Sequence, residues 1–116
     1  MFGKKYEVTL NRVHDTVVVH EGDERLTLTV NGDSMRMVGG LNKANEKMKA
    51  LNDDTPDEEV REAAKYFATV IFGKEQAQKL FEFYAEDPAS VITVCGKYFR
   101  ERLAGKITAI QKKLKL

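Results

Sequence analysis

The chemistry-bearing side chains are few and far apart. His14 and His20 stand six residues apart around an apolar run, and the single cysteine, Cys95, is remote from both. No zinc-ligand spacing joins them, so the expectation is two surface histidines and a core thiol. Gly39-Gly40 lacks the downstream lysine and hydroxyl residue of a phosphate loop. Asp23 and Asp33 lack the alternating oxygen ligands and closing glutamate of a calcium loop. Ser34 has no nucleophile-elbow context. No catalytic, cofactor or metal site is expected, and a non-enzyme is.

What must be positioned is therefore apolar surface. The segment Tyr66–Phe81 joins an apolar helix end, a glycine stop and a second amphipathic helix. Val60, Ala64, Phe67 and Ile71 recur at helical spacing, and Tyr66, Val70 and Phe72 widen that face. Gly73 stands where a chain leaving a helix needs a positive φ. Ala77, Leu80, Phe81 and Tyr84 then close back on the first helix. The expected centre of the core is Phe67, Ile71, Leu80, Phe81, Ile92 and Phe99.

Ahead of these helices the period changes. Residues 5–10 alternate Tyr6, Val8 and Leu10 with polar residues, a half-buried strand. Residues 11–15 read as a polar connection, Thr16–His20 as a β-branched strand, and Arg25–Val30 as a third strand after a glycine turn. Such a meander needs a cover for its apolar face. Asn31-Gly32 can turn into a fourth strand, but Met37, Leu41, Ala44, Met48 and Leu51 fall on one helical stripe. A helix over about 34–52 is predicted, with the Gly39-Gly40 pair as its weak point, costing about 2 kcal/mol against alanines. Thr55, Pro56 and Glu58 form a capping-box start for a helix over 56–72, and a third runs over about 74–85. Asp87-Pro88 starts a fourth, carrying Ile92, Cys95, Phe99, Leu103, Ile107, Ile110 and Leu114 almost to the last residue. Unbroken, it would reach roughly 40 Å, with Gly96 and Gly105 as weak points. The fold class is thus α+β, one domain over 1–116: an N-terminal antiparallel β-meander (1–31) and about four helices (32–116).

Hydrophobic residues at 42%, charged residues at 32% and a net charge of +1 describe a globular chain with no overall field for nucleic acid or membrane. No apolar run approaches a membrane span, the first residues lack a signal-peptide apolar region, and one cysteine fits a reducing compartment. A cytosolic protein is expected. Acidic residues gather over 53–62, whereas from Asp87 on seven cations face only Asp87 and Glu101. The cations are spread around the helix, which favours a solvated end over a nucleic-acid surface. The acidic and basic regions can also pair, within the chain or between copies. The apolar seam Leu103, Ile107, Ile110 and Leu114 is the candidate partner-binding surface, through self-association or a helical partner; its alternative is to fold back and complete the monomer's core.

Residues 41–114 resemble tail assembly chaperones, small proteins encoded among the tail genes of long-tailed bacteriophages, especially those of Gram-positive hosts. The likeness is an order of features: the amphipathic helix from Leu41, the acidic start Thr55-Pro-Asp-Glu58, the aromatic-rich end Phe67–Gly73, and the phrase Phe72-Gly-x-x-x-Ala-x-Lys-Leu-Phe81. In that family the phrase is a packing motif, so no catalytic residue carries over. The resemblance implies a protein of the host bacterial cytoplasm that binds the tape-measure protein, helps recruit tail-tube subunits and works as a homo-oligomer. A structural virion piece, such as a head–tail connector or tail terminator, and a small helical nucleic-acid-binding regulator are the alternatives.

Overall fold

The computed structural model describes residues 12–105. Its sheet is a hairpin of β1 (Arg12–Glu21) and β2 (Glu24–Asp33), antiparallel and in unbroken register from Glu21↔Glu24 to Arg12↔Asp33. The two-residue loop turns at Gly22, whose φ of +61° is open to glycine at little cost. Residues 12–15 are strand rather than connection, because a ten-residue β2 offers each of them a partner. The expected strand over 5–10 lies outside the described residues. Asp15, Val17 and Val19 share the inner face with Leu26, Leu28 and Val30. The outer face carries His14, Thr16, Val18 and His20 opposite Asn31, Thr29, Thr27 and Arg25.

Four helices follow: α1 (Ser34–Lys49), α2 (Asp57–Phe72), α3 (Lys74–Phe83) and α4 (Pro88–Tyr98), the last continuing into a π turn, Phe99–Leu103. The architecture is therefore α+β, an N-terminal antiparallel sheet followed by four helices. The strand continues through Asn31-Gly32 instead of turning back, and α1 begins ahead of Gly39-Gly40 and runs through the pair. The reason lies in α2: a Cβ on Gly40 would stand 3.0 Å and 3.1 Å from the two γ-carbons of Val70. Glycine lets α1 approach α2 at that level.

The apolar face of α2 packs against α1, α3, α4 and β2, and carries buried Ala64, Phe67, Ala68, Ile71 and Phe72. Around it lie Leu28, Val30, Leu41, Ala44, Leu80, Phe81, Val91 and Cys95. Of the six residues expected at the centre, Phe67, Ile71, Leu80 and Phe81 are buried, while Ile92 and Phe99 are half-buried against them. Phe67 and Phe99 meet edge-on with ring centroids 6.3 Å apart.

The ends of the helices follow local chemistry. Gly73 stops α2 with φ +86°, its N–H bonded to the Thr69 carbonyl, and its own carbonyl accepts from Ala77 of α3. Asp87 caps α4, accepting from the Ala89 N–H and the Ser90 hydroxyl, with Pro88 at the first helical position. The capping box expected at Thr55 does not form. Thr55 Oγ1 instead accepts from the Asn52 N–H at 2.9 Å, so the hydroxyl serves the preceding turn and Pro56 begins the helix. The α3–α4 turn is a Schellman motif in which Glu86 N–H bonds Phe81 O and Ala85 N–H bonds Glu82 O. Ala85 and Glu86 both take positive φ, 52° and 64°, in place of a glycine.

Candidate functional site

Helix α1 runs antiparallel to α2, since Gly40 lies by Val70 and the Lys43 and Lys47 ammonium groups stand 5.8 Å and 5.3 Å from the Tyr66 ring centre. Helix α4 runs parallel to α2, because Arg61 pairs with Glu86 just before α4 and Phe67 meets Phe99 just after it. α1 and α4 thereby flank the same side of α2 without filling the space between them. An open groove of about 590 Å³ lies there. Leu41, Asn45 and Met48 of α1, with Leu51 beyond it, form one wall. Ile92, Thr93 and Gly96 of α4, with Phe99 and Arg100, form the other, and Phe67 reaches it from α2.

The wall residues follow from spacing. Leu41, Asn45 and Met48 lie at intervals of four and three, as do Ile92, Gly96 and Phe99, so each set holds one helical stripe. Met48, Leu51, Ile92 and Phe99 are half-buried, and Leu41 is buried. Gly96 keeps the α4 wall low, and the Arg100 guanidinium lies across it, 3.2 Å from where a Cβ would stand. Arg100 is the single charged residue among those lining the groove. Apolar walls with two neutral polar groups and one cation offer a surface that the apolar face of a helix could occupy.

A second cluster ties the hairpin to the helices. Tyr98 donates its phenol O–H to Asp15 Oδ2 at 2.7 Å, and Arg102 donates from Nε to Oδ2 at 3.1 Å and from Nη2 to Oδ1 at 2.9 Å. This bidentate pair and phenol accept a carboxylate on the otherwise apolar inner face of β1. Burial, then the Asp15 hydrogen bond and charge, push the Tyr98 phenol well above its ordinary range. Both carboxylate oxygens of Asp15 are held by side chains of the helical end, so the cluster is an anchor. Gln76 anchors the other strand: its carboxamide accepts from the Thr29 N–H at 2.8 Å and donates to the Thr29 carbonyl at 2.7 Å. It stands in for a neighbouring strand at the open edge of β2.

Of the expected partner seam, Leu103 alone falls among the described residues. Leu103 is 1% exposed and belongs to the core, because the π turn carries it inward. Ile107, Ile110 and Leu114 lie outside the described residues. His14 and His20 are exposed and Cys95 is buried, and among the described residues no cluster of His, Cys, Asp or Glu can hold a metal ion. No helix among them is long and apolar enough to cross a membrane. Sequence reading placed Leu41, Met48, Ile92 and Phe99 on apolar stripes and assigned Ile92 and Phe99 to the core. Asp15 shares the parity of Val17 and Val19, and Tyr98 and Arg102 share a helical face; those were the only signals of the anchor. No family model, curated protein or solved structure matches the chain.

Proposed function

We propose that this is a non-enzymatic, tail-assembly-chaperone-like protein of the bacterial cytoplasm, holding a helical and partly apolar partner of the tape-measure kind and helping tail-tube subunits to gather on it. The observation that carries the reading is the open apolar groove between α1 and α4. A groove walled by two helices accepts the apolar face of a third, and a long helical rod with repeated stripes would engage many copies weakly. The order of features over residues 41–114 adds the resemblance to that family. The groove takes over the part first given to Leu103, whose side chain is spent inside the monomer.

The test is capture of the tape-measure protein encoded in the same tail gene cluster, by co-expression and co-purification. Met48→Glu and Ile92→Asp place charge in the walls at half-buried positions, and each is expected to abolish capture while the circular dichroism spectrum is retained. Val18→Asp, on the outer face of the hairpin where Val18 is 44% exposed, is expected to leave capture intact. Capture unaffected by both groove variants, or no capture by the parent protein, overturns the proposal.

A further inference from the structure

The groove's charge narrows the chemistry of what it holds. Arg100 lies across the α4 wall at Gly96 and, among the described residues, no carboxylate pairs with it. One helical turn beyond Asn45 on α1 stands Lys49, exposed. Glu46 lies about 60° further round α1 than Lys49, on the side away from the groove. The groove's charge is therefore cationic, from Arg100 on α4 with Lys49 beside the α1 wall, over walls that are apolar.

We infer that the groove takes an acidic-flanked amphipathic helix, whose apolar stripe packs on Leu41, Met48, Ile92 and Phe99 while a flanking carboxylate pairs with Arg100. This rests on the proposed function and specifies its partner. From Leu41 to Met48, and again from Ile92 to Phe99, each wall runs about 10 Å, or two helical turns. An occupant with apolar residues at i, i+4 and i+7 matches that length. Arg100 can meet a carboxylate with two parallel N–H bonds, a geometry that a lysine on the rim cannot offer. The chain's own residues 106–116 have suitable apolar residues in Ile107, Ile110 and Leu114, but they come with Lys106, Lys112, Lys113 and Lys115. Like charges against Arg100 and Lys49 disfavour that segment as the occupant.

The experiment uses the full chain and two fluorescent synthetic helices with the same leucines at i, i+4, i+7 and i+11. One is flanked by glutamates, the other by lysines, and binding is read by anisotropy at low and at raised salt. The glutamate peptide is expected to bind roughly tenfold tighter, an advantage that shrinks as salt screens the rim. Arg100→Glu should reverse the preference, and Arg100→Gln should remove most of it; the exposed position makes both compatible with folding. Ile92→Asp should weaken both peptides and so place them in the groove. Equal binding of the two peptides overturns the inference while leaving a helix-binding groove in place. Preference for the lysine peptide, or for a peptide of residues 106–116, overturns it in favour of a different occupant. Binding of neither peptide removes both this inference and the function it rests on. Tight binding of the glutamate peptide without capture of a tape-measure protein removes only the latter.

Discussion

Gly39 and Gly40 are adjacent, both within α1, and should respond to alanine in opposite ways. Gly39 is exposed, and a Cβ built on it meets nothing within 4 Å. Gly39→Ala therefore collects the helix-propensity gain alone, about 1 kcal/mol. Gly40→Ala collects the same gain, but its methyl would stand 3.0 Å and 3.1 Å from the Val70 γ-carbons and 3.7 Å from the Val70 Cβ. Both branches of Val70 are involved, and a valine in a helix has one strongly preferred χ1, so rotation does not clear the space. Either α1 lifts from α2 by a few tenths of an ångström or the valine is strained, and overpacking of this kind costs about 1–3 kcal/mol. The difference between the two variants equals that cost, since the propensity gain cancels. Urea unfolding at a constant m-value measures it directly. In the thermal melt, a domain near this size should show roughly 4 °C per kcal/mol between the variants. Val70→Ala introduced beside Gly40→Ala should recover part of the loss as a favourable coupling energy. Equal stabilisation by the two alanines would refute the close approach of α1 to α2 and, with it, the position of the groove's α1 wall.

Two further outcomes follow from local chemistry. Burial pushes the Cys95 thiol from an ordinary 9.0 up to about 12, and burial with the Asp15 hydrogen bond raises the Tyr98 phenol. The native state therefore keeps protons that the unfolded chain releases: stability is complete below about pH 9 and falls as the pH rises from 9 through 12. Cys95 alone contributes a slope of up to about 1.4 kcal/mol per pH unit in that window, to be read from urea midpoints at successive pH values. A Cys95→Ala variant should lose that share of the slope, and an unchanged slope would contradict a buried, protonated thiol. At the α3–α4 turn, Ala85 holds φ 52° without being glycine. Ala85→Gly should stabilise by about 0.5–1 kcal/mol, and a loss of stability would mean that the Schellman geometry is not the native one.

How much of this fold is legible in the chain depends on the range over which each feature is determined. Gly73 and Asp87-Pro88 carry their reasons within a few residues, and α2 ends and α4 begins where those residues place them. The strand end at residues 12–15 is different, because Asp15 is polar on a face otherwise apolar. Its partners, Tyr98 and Arg102, lie 83 and 87 residues away, and only the closed fold makes the carboxylate a strand residue. Thr55 shows the converse. Its local pattern fits a capping box, but Asn52 competes successfully for the hydroxyl. Ala85 and Glu86 adopt left-handed φ with no glycine to signal it. Gln76 reads as an ordinary helical residue until β2 presents Thr29 to its carboxamide.

The candidate site lies at the far end of that range. An apolar stripe at helical spacing has the same appearance whether a neighbour covers it or not, so Ile92 and Phe99 read as core and the Leu41–Met48 stripe gives no sign of an open side. What separates core from groove is the distance between the two helices across α2, which is set at other residues. Gly40 admits α1 closely to α2, and the Asp15–Tyr98–Arg102 anchor together with the Arg61–Glu86 pair fixes α4. With both helices held at those points, Phe67 supports Phe99 but cannot bridge the whole gap to Met48, and Gly96 contributes no side chain to close it. Apolar surface of the kind that sequence reading assigned to the chain's last residues is thus present on α1 and α4. There it is pre-formed between rigid elements, so a partner helix would bind without first ordering the walls, and the cost of association falls on the partner.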